Sequence, residues 1–308
     1  MRRPDRIGGL AAAVLVLCCV SWGLNQVAIK ISLAGIPPVL SAGLRSLAAA
    51  VLLWTWFWMC GEQLLRRDGT GGYGLLLGLI FAGEFILIYG GLAFTTASRS
   101  VVFLYSAPFF VALGAHRFIP GERLTPGRLA GLVLAFLGLC LAFADGLLVP
   151  SRRELLGDVL ELIGGFAWGA STVVIKLWSG GRLTPQRMLF YQLSISGPVL
   201  IALSPLFGER GVGPLTPPVL GAVAYQVVVV AFVSYLVWFW LLARYPASGL
   251  AAFSFWTPLF GVLGGWLLLG ERLTPNLGAA AALVAIGIYL VNRAPAGAPT
   301  RLPPTRSA

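Results

Sequence analysis

The chain has 308 residues, of which 58% are apolar and only 11% are charged, and its net charge is +11. Soluble globular proteins carry about 25% charged residues, so this composition excludes a single water-soluble core and predicts a lipid-embedded protein. The basic residues cluster at the ends of apolar segments, where topology signals lie. We therefore expect the lipid bilayer as a partner and no nucleic acid.

Apolar segments long enough to cross a membrane follow one another along the whole chain. They are predicted at residues 7–30, 37–60, 72–94, 98–118, 126–144, 156–177, 185–206, 217–243, 248–269 and 275–292. The fold class expected from this pattern is an all-α integral membrane protein with ten transmembrane helices.

The tripeptide Leu-Thr-Pro marks several of the predicted helix starts, at 124–126, 183–185, 215–217 and 273–275. A threonine hydroxyl at the N-cap accepts a backbone N–H, and proline suits the first turn because its missing N–H has no helical partner there.

The distribution of lysine and arginine predicts the orientation of the chain in the membrane. With the N-terminus inside, most basic residues, such as Arg2, Arg3, Arg66 and Arg67, lie in cytoplasmic segments, as the positive-inside rule requires. We expect a multi-pass protein of the inner (cytoplasmic) membrane with both termini in the cytoplasm. The tail 293–308 is rich in Pro, Ala and Thr and is predicted to be disordered.

Catalytic and metal-binding chemistry have little support in the sequence. The four cysteines lie inside apolar segments, where they act as small apolar side chains. One histidine, His116, is too little for a histidine-based metal site. An integral-membrane enzyme needs clustered acids, a metal constellation or a nucleophile with a base, so we predict neither an enzyme nor a cofactor.

An internal repeat is the strongest feature of the sequence. The hexapeptide Gly-Glu-Arg-Leu-Thr-Pro occurs at 121–126 and again at 270–275. Other matched pairs, at an offset of roughly 150 residues, are Trp22-Gly23 with Trp168-Gly169, Lys30 with Lys176, Ala97-Ser98 with Ala247-Ser248, and Pro108 with Pro258. The chain therefore consists of two homologous five-helix halves, predicted at 8–144 and 156–292.

An odd number of spans in each half has a topological consequence. If the first half begins inside, the second begins outside, and the halves are related by a pseudo-two-fold axis in the membrane plane. Such inverted repeats are typical of secondary transporters. Pro108 and Pro258 interrupt corresponding spans. The interruptions indicate a central site or gate, or they only fit the helices together.

The repeated pattern of a proline-interrupted span, Gly-Glu-Arg-Leu-Thr-Pro and a further span, with Trp-Gly opening each half, resembles the EamA-type family of the drug/metabolite transporter superfamily. The resemblance covers about residues 8–292. It implies a ten-helix transporter with a central cavity, often exporting amino acids, nucleobase-like compounds or other small metabolites. Export is the expected direction; uptake of the same substrates, or a non-transporting scaffold, is the alternative. It does not fix the oligomeric state.

Charged residues at membrane depth are expensive and indicate function. Arg45 and Glu84 lie at similar depths in the second and third predicted spans. Either Arg45 binds a substrate anion while Glu84 binds an amine or a coupling proton, or the two form a permanent ion pair. The pair would suit a zwitterion such as an amino acid. The inverted equivalents are near Tyr191 and Ser234, so the predicted site is asymmetric.

Amides and aromatic side chains in the spans complete the predicted substrate site, although each also suits helix bridging or core packing. They are Trp22, Asn25, Tyr89, Tyr105, Trp168, Tyr191, Gln192, Gln226, Tyr235 and Trp256.

The remaining charged side chains receive structural interpretations. Glu161 and Asp158 favour the positive end of their helix, although Glu161 could also line the cavity mouth. Glu122 and Glu271 are predicted to accept N–H groups at helix starts. Lys30 and Lys176 are predicted as interfacial anchors, with gating as the alternative.

Overall fold

The computed structural model describes residues 7–64, 69–147, 150–179, 183–273 and 275–293, and these ranges are helical without a β-strand. The predicted tail after Arg293 lies outside them. The helices are α1 (Gly9–Ser32), α2 (Pro38–Met59), α3 (Gly71–Leu92), α4 (Ala97–Leu104), α5 (Ala107–Phe118), α6 (Pro126–Ala142), α7 (Arg152–Trp178), α8 (Pro185–Leu203), α9 (Pro217–Tyr225), α10 (Tyr235–Arg244), α11 (Ala247–Phe253), α12 (Trp256–Leu269) and α13 (Leu277–Arg293). A π-helical stretch, Gln226–Ser234, joins α9 to α10.

Eight helical segments in the described ranges are long and apolar enough to cross a bilayer. Two shorter apolar helices, α6 and α13, accompany them. Many large apolar side chains point outwards, for example Leu10, Leu17 and Trp58, which are 83%, 67% and 68% exposed. An apolar exterior of this kind suits a lipid environment, so the chain is a multi-pass integral membrane protein.

Thr-Pro pairs begin helices as the sequence predicts. The side chains of Thr125 and Thr184 accept the backbone N–H groups of Arg128 and Arg187, each with proline in the first turn. Thr216 precedes α9 without a side-chain hydrogen bond. The fourth threonine, Thr274, is outside the described residues.

Both predicted proline interruptions are confirmed. In the first half α4 ends at Leu104 and α5 begins at Ala107; in the second half α11 ends at Phe253 and α12 begins at Trp256. Proline removes a helical hydrogen bond and its ring displaces the preceding turn. At the second break the Cys19 thiol donates to the Phe253 carbonyl at 3.2 Å, and the Ser254 carbonyl, which Pro258 cannot bond, accepts the N–H of Thr257.

The Trp-Gly motifs pack each half against the other. A Cβ on Gly23 of α1 would lie 2.6 Å from Phe260 Cβ in α12, and one on Gly169 of α7 would lie 2.6 Å from Phe110 Cβ in α5. No side chain fits at that distance, so glycine permits the close approach. The first helix of each half therefore packs on the interrupted span of the other half.

Corresponding helices of the two halves also pack directly on one another. A Cβ on Gly287 of α13 would lie 2.5 Å from the Gly131 carbonyl oxygen of α6, while one on Gly138 would lie 2.8 Å from the Ala280 carbonyl oxygen. Residue numbers rise in α6 as they fall in α13, so the helices run antiparallel. α2 and α8 cross antiparallel in the same way, with Gly43 against Ile201 and Gly197 against Leu47.

Candidate functional site

A cavity of about 300 Å³ lies between the two halves. Its walls come from α1 to α4 of the first half and from α7, α8, α10 and the start of α12 in the second, with Val230 of the π-helical stretch. The predicted site residues that line it are Trp22, Asn25, Arg45, Glu84, Tyr89, Tyr105, Trp168, Gln192 and Tyr235. Ligand pockets begin at about this volume, which suits a small metabolite.

Arg45 enters the cavity from α2 and is only 2% exposed. Its guanidinium carbon lies 4.9 Å from the centroid of the Phe85 ring, a cation–π contact. Its Nε and one terminal nitrogen are buried without a hydrogen-bond partner among the described residues. A guanidinium carries five N–H donors, so Arg45 has donors available for an anionic ligand.

Glu84 enters the cavity from α3 and is also buried. One of its carboxylate oxygens, Oε2, has no hydrogen-bond partner within the described ranges. The salt bridges of those ranges are Lys30–Glu271 and Arg99–Asp158, so Arg45 and Glu84 do not pair directly in this structure. The cavity thus presents a cation and a carboxyl group that make no direct salt bridge with each other.

Aromatic rings form much of the remaining wall. Trp22 Nε1 donates to Ser234 Oγ at 2.8 Å, and its ring meets Trp238 edge-on with the centroids 5.4 Å apart. Tyr105 and Trp168 make a similar contact at 5.5 Å. Such edge-to-face pairs stabilise each other's orientation, so the apolar surface around the charged groups has a defined shape.

Several cavity residues were not predicted from the sequence. Most of them are apolar, among them Phe85 and Trp238, and those with hydroxyl side chains are Ser100, Ser171, Thr172 and Thr257. Thr257 Oγ1 is buried without a partner among the described residues. Serine and threonine in helices commonly bond to their own backbone, so their presence in a span is a weak sign of a binding site. The one sequence signal for Thr257 was its position next to Pro258 in the interrupted span.

Three predicted site residues lie elsewhere. The Tyr191 hydroxyl accepts from Arg187 at 3.2 Å, which fixes it at the start of α8. Gln226 donates to Ser32 Oγ at 3.1 Å and so links its span to α1. Trp256 stacks on Phe260 with the centroids 5.5 Å apart. None of the three is among the residues found to line the cavity.

Two acids of α7 make specific contacts beyond the predicted helix-dipole interaction. Asp158 forms a buried salt bridge with Arg99 and accepts from the Thr95 hydroxyl at 2.8 Å. Glu161 is fully buried and accepts from the cavity residue Ser100 at 2.7 Å. The sequence did not reveal these partners because they lie on α4 and the turn before it.

The described residues contain no cluster of three His, Cys, Asp or Glu side chains placed to hold a metal. What fold and site define together is a multi-pass membrane protein with a ligand-sized cavity between two related halves. The chain belongs to the EamA-like transporter family, which matches it at residues 9–144 and 155–293. It is therefore a membrane transporter.

Similar proteins include a "Probable amino-acid metabolite efflux pump" of Salmonella typhimurium, 31% identical over 94% of this chain and 95% of that protein. Its namesake in Escherichia coli is 30% identical over 94% of this chain and 95% of its own length. A crystal structure with 19% sequence identity superposes with a TM-score of 0.79 and covers 92% of this chain and 98% of its own, which shows the shared fold.

Proposed function

We propose that the chain is a secondary transporter that exports a small zwitterionic metabolite, such as an amino acid or a related compound. The observation that carries the proposal is the cavity holding Arg45 and Glu84, both buried and neither paired with the other. Arg45 binds the substrate carboxylate and Glu84 binds its ammonium group or a coupling proton. The names of the two efflux-pump relatives support amino-acid metabolites as the class and export as the direction.

The proposed mechanism is alternating access by two inverted five-helix halves, predicted at 8–144 and 156–292, that together make ten spans. Three features support this arrangement: the antiparallel crossings of α6 with α13 and of α2 with α8, and the matched Trp-Gly contacts. Inverted halves can exchange conformations and so open a central site to each side in turn. The protein lies in the inner (cytoplasmic) membrane with both termini in the cytoplasm, an orientation that follows from the excess of basic residues in the cytoplasmic segments.

The test is counterflow in proteoliposomes with radiolabelled amino acids, nucleosides and amines. Wild-type protein is expected to exchange zwitterions, while Arg45→Gln and Glu84→Gln lose about 10–100-fold in rate, the equivalent of one or more charge-assisted hydrogen bonds. Glu62→Gln, which neutralises an exposed acid in a loop, is the matched control. If the protein exchanged a neutral nucleoside and this exchange were unchanged in both cavity variants, the proposed zwitterion site would be refuted.

Proton coupling is tested separately with a pH gradient across the same vesicles. Glu84→Gln is expected to abolish the acceleration of flux by the gradient and to leave the protein folded. If the gradient accelerates the variant as it does the wild type, Glu84 is not the proton carrier.

A further inference from the structure

The turn between the third and fourth spans exists in both halves, as residues 92–98 and 242–248. We call these the outer turn and the inner turn, after the proposed orientation. Their surroundings differ sharply: Leu242 and Ala247 are fully buried, whereas Leu92 is 42% exposed and Ala97 is exposed. The cavity reaches Leu92 and Ala97, while Leu242 and Ala247 are not among its lining residues.

Two charged side chains hold the inner turn. The Lys176 ammonium group donates to the carbonyls of Leu242 at 2.6 Å and Tyr245 at 2.5 Å. The Glu122 carboxylate accepts from the backbone N–H of Ala247 at 2.9 Å and of Ser248 at 3.3 Å. Lys176 and Glu122 are both buried, so the two charged side chains of this contact are largely shielded from solvent.

The equivalents of those two side chains behave differently at the outer turn. Lys30 and Glu271 form a salt bridge with each other at 2.5 Å, and their side chains are 56% and 44% exposed. Neither side chain contacts residues 92–98 in the hydrogen bonds found for them. The outer turn is instead attached to α7, where Thr95 donates to Asp158.

The two hexapeptides share the positive φ of their first glycine. Gly121 and Gly270 both have positive φ, 87° and 68°, which glycine adopts without strain. The helix before each glycine ends differently, because α5 ends at Phe118 whereas α12 continues to Leu269, directly before Gly270. Glu122 reaches the inner turn and Glu271 does not reach the outer turn, although the sequence supplies both with the same Ala-Ser target.

We propose that Lys176 with Glu122, and Lys30 with Glu271, close the inner and outer ends of the transport path in alternation. In this structure Lys176 and Glu122 clamp the inner turn, and Lys30 and Glu271 pair in solvent beside an open outer end. In the opposite state Lys30 binds the carbonyls of Leu92 and Thr95, Glu271 binds the N–H groups of Ala97 and Ser98, and Lys176 pairs with Glu122. The inference rests on the proposed alternating access and names the residues that perform it.

The exchange balances the energy of the two end states. Each state contains one clamped turn with charge-assisted hydrogen bonds and one lysine–glutamate ion pair, so these four side chains make the same kinds of contact in both states. A transporter needs two end states of similar free energy, because a large bias would trap one of them. Matched lysine and glutamate residues in inverted halves meet that requirement.

The test measures which end is open and does not require a known substrate. Phe239, at the inner part of the cavity wall, is replaced by cysteine in a background of C60S and C140A, in which the remaining Cys18 and Cys19 are buried. A membrane-impermeant maleimide is applied to the cytoplasmic face of oriented vesicles. Labelling of the Phe239→Cys variant then reports the inward-open population.

Glu122→Gln removes the inner clamp and is expected to raise the ratio of inward-open to outward-open protein, read from this labelling, about tenfold. Glu271→Gln removes the outer clamp and is expected to lower the same ratio about tenfold. Glu62→Gln is the control and leaves labelling unchanged. Changes in the same direction for both glutamate variants, or no change in either, would overturn the exchange.

A cross-link provides an independent measurement if Glu122→Gln does not fold. Ser98→Cys with Glu271→Cys, introduced in the background that keeps Phe239, is expected to form a disulfide under mild oxidation in membranes, seen as a mobility shift on a non-reducing gel. Its absence, with Glu271→Gln also leaving labelling unchanged, contradicts the proposal. Opposite labelling changes without any substrate counterflow would support the exchange and contradict the proposed substrate class, so the two failures are distinguishable.

Discussion

In the first half of the chain, α2 and α3 place Arg45 and Glu84 in the cavity; at the equivalent positions the second half has Tyr191 and Ser234. Tyr191 is held by Arg187 outside the cavity, and Ser234 accepts a hydrogen bond from Trp22. The glycine contacts and proline breaks, in contrast, match between the halves. The comparison teaches that close backbone packing is shared by both repeats, while the charged side chains of the cavity, Arg45 and Glu84, belong to one of them.

The largest effect is expected where a charge contact has no counterpart in the other half. Arg99 pairs with Asp158 in a buried salt bridge, and its equivalent position is Gly249. Arg99→Gln leaves the Asp158 carboxylate uncompensated and is expected to cost about 3–5 kcal/mol of folding free energy. An SDS unfolding titration measures the loss.

The double variant Arg99→Gln with Asp158→Asn is the control for that pair, because it removes both charges. It is expected to recover most of the lost stability. A double variant as unstable as the single one would mean that Arg99 acts through its hydrogen bond to the Leu147 carbonyl instead.

An intermediate effect is expected where the two halves match. Gly23→Ala and Gly169→Ala each force a methyl group against the interrupted span of the other half and are expected to cost about 1–3 kcal/mol. The cost for Gly23→Ala should lie at the upper end of this range, because the added Cβ would also lie 2.8 Å from the backbone nitrogen of Gly261. Thermal unfolding in detergent, monitored by size-exclusion chromatography, compares the two.

Gly83→Ala is the control for these glycines, because a Cβ there meets nothing within 4 Å. It is expected to be neutral. If Gly23→Ala destabilised the protein while Gly169→Ala did not, the packing would not be shared by the repeats.

The smallest effect is expected for the difference in stability between variants of Trp22 and Trp168, the tryptophans of the Trp-Gly motifs. Trp22 donates to Ser234, whereas the ring contact found for Trp168 is with Tyr105. Trp22→Phe is therefore expected to cost about 1 kcal/mol more than Trp168→Phe, the net value of one hydrogen bond. The same SDS titration measures the difference, and equal losses would show that the indole N–H contributes nothing.

Local features of the fold were readable from the sequence because each depends on a few neighbouring residues. Apolar length predicted the helices, and Thr-Pro predicted starts that the Thr125 and Thr184 caps confirm. Proline predicted the two interrupted spans, because a missing N–H breaks a helix wherever it occurs. The repeat itself and the family followed from matched motifs, and the family is confirmed by the comparison.

The partners of the polar side chains were decided only by the tertiary structure. The sequence placed Arg45 and Glu84 at similar depth but did not say whether they touch, and it did not find Asp158 with Arg99 or Glu161 with Ser100. Helical periodicity leaves open the rotation of each helix about its axis and the helix it faces, so Tyr191, Gln226 and Trp256 could not be separated from the cavity residues in advance. The two identical hexapeptides make the same point, since one sequence serves a clamp at Glu122 and a solvated ion pair at Glu271.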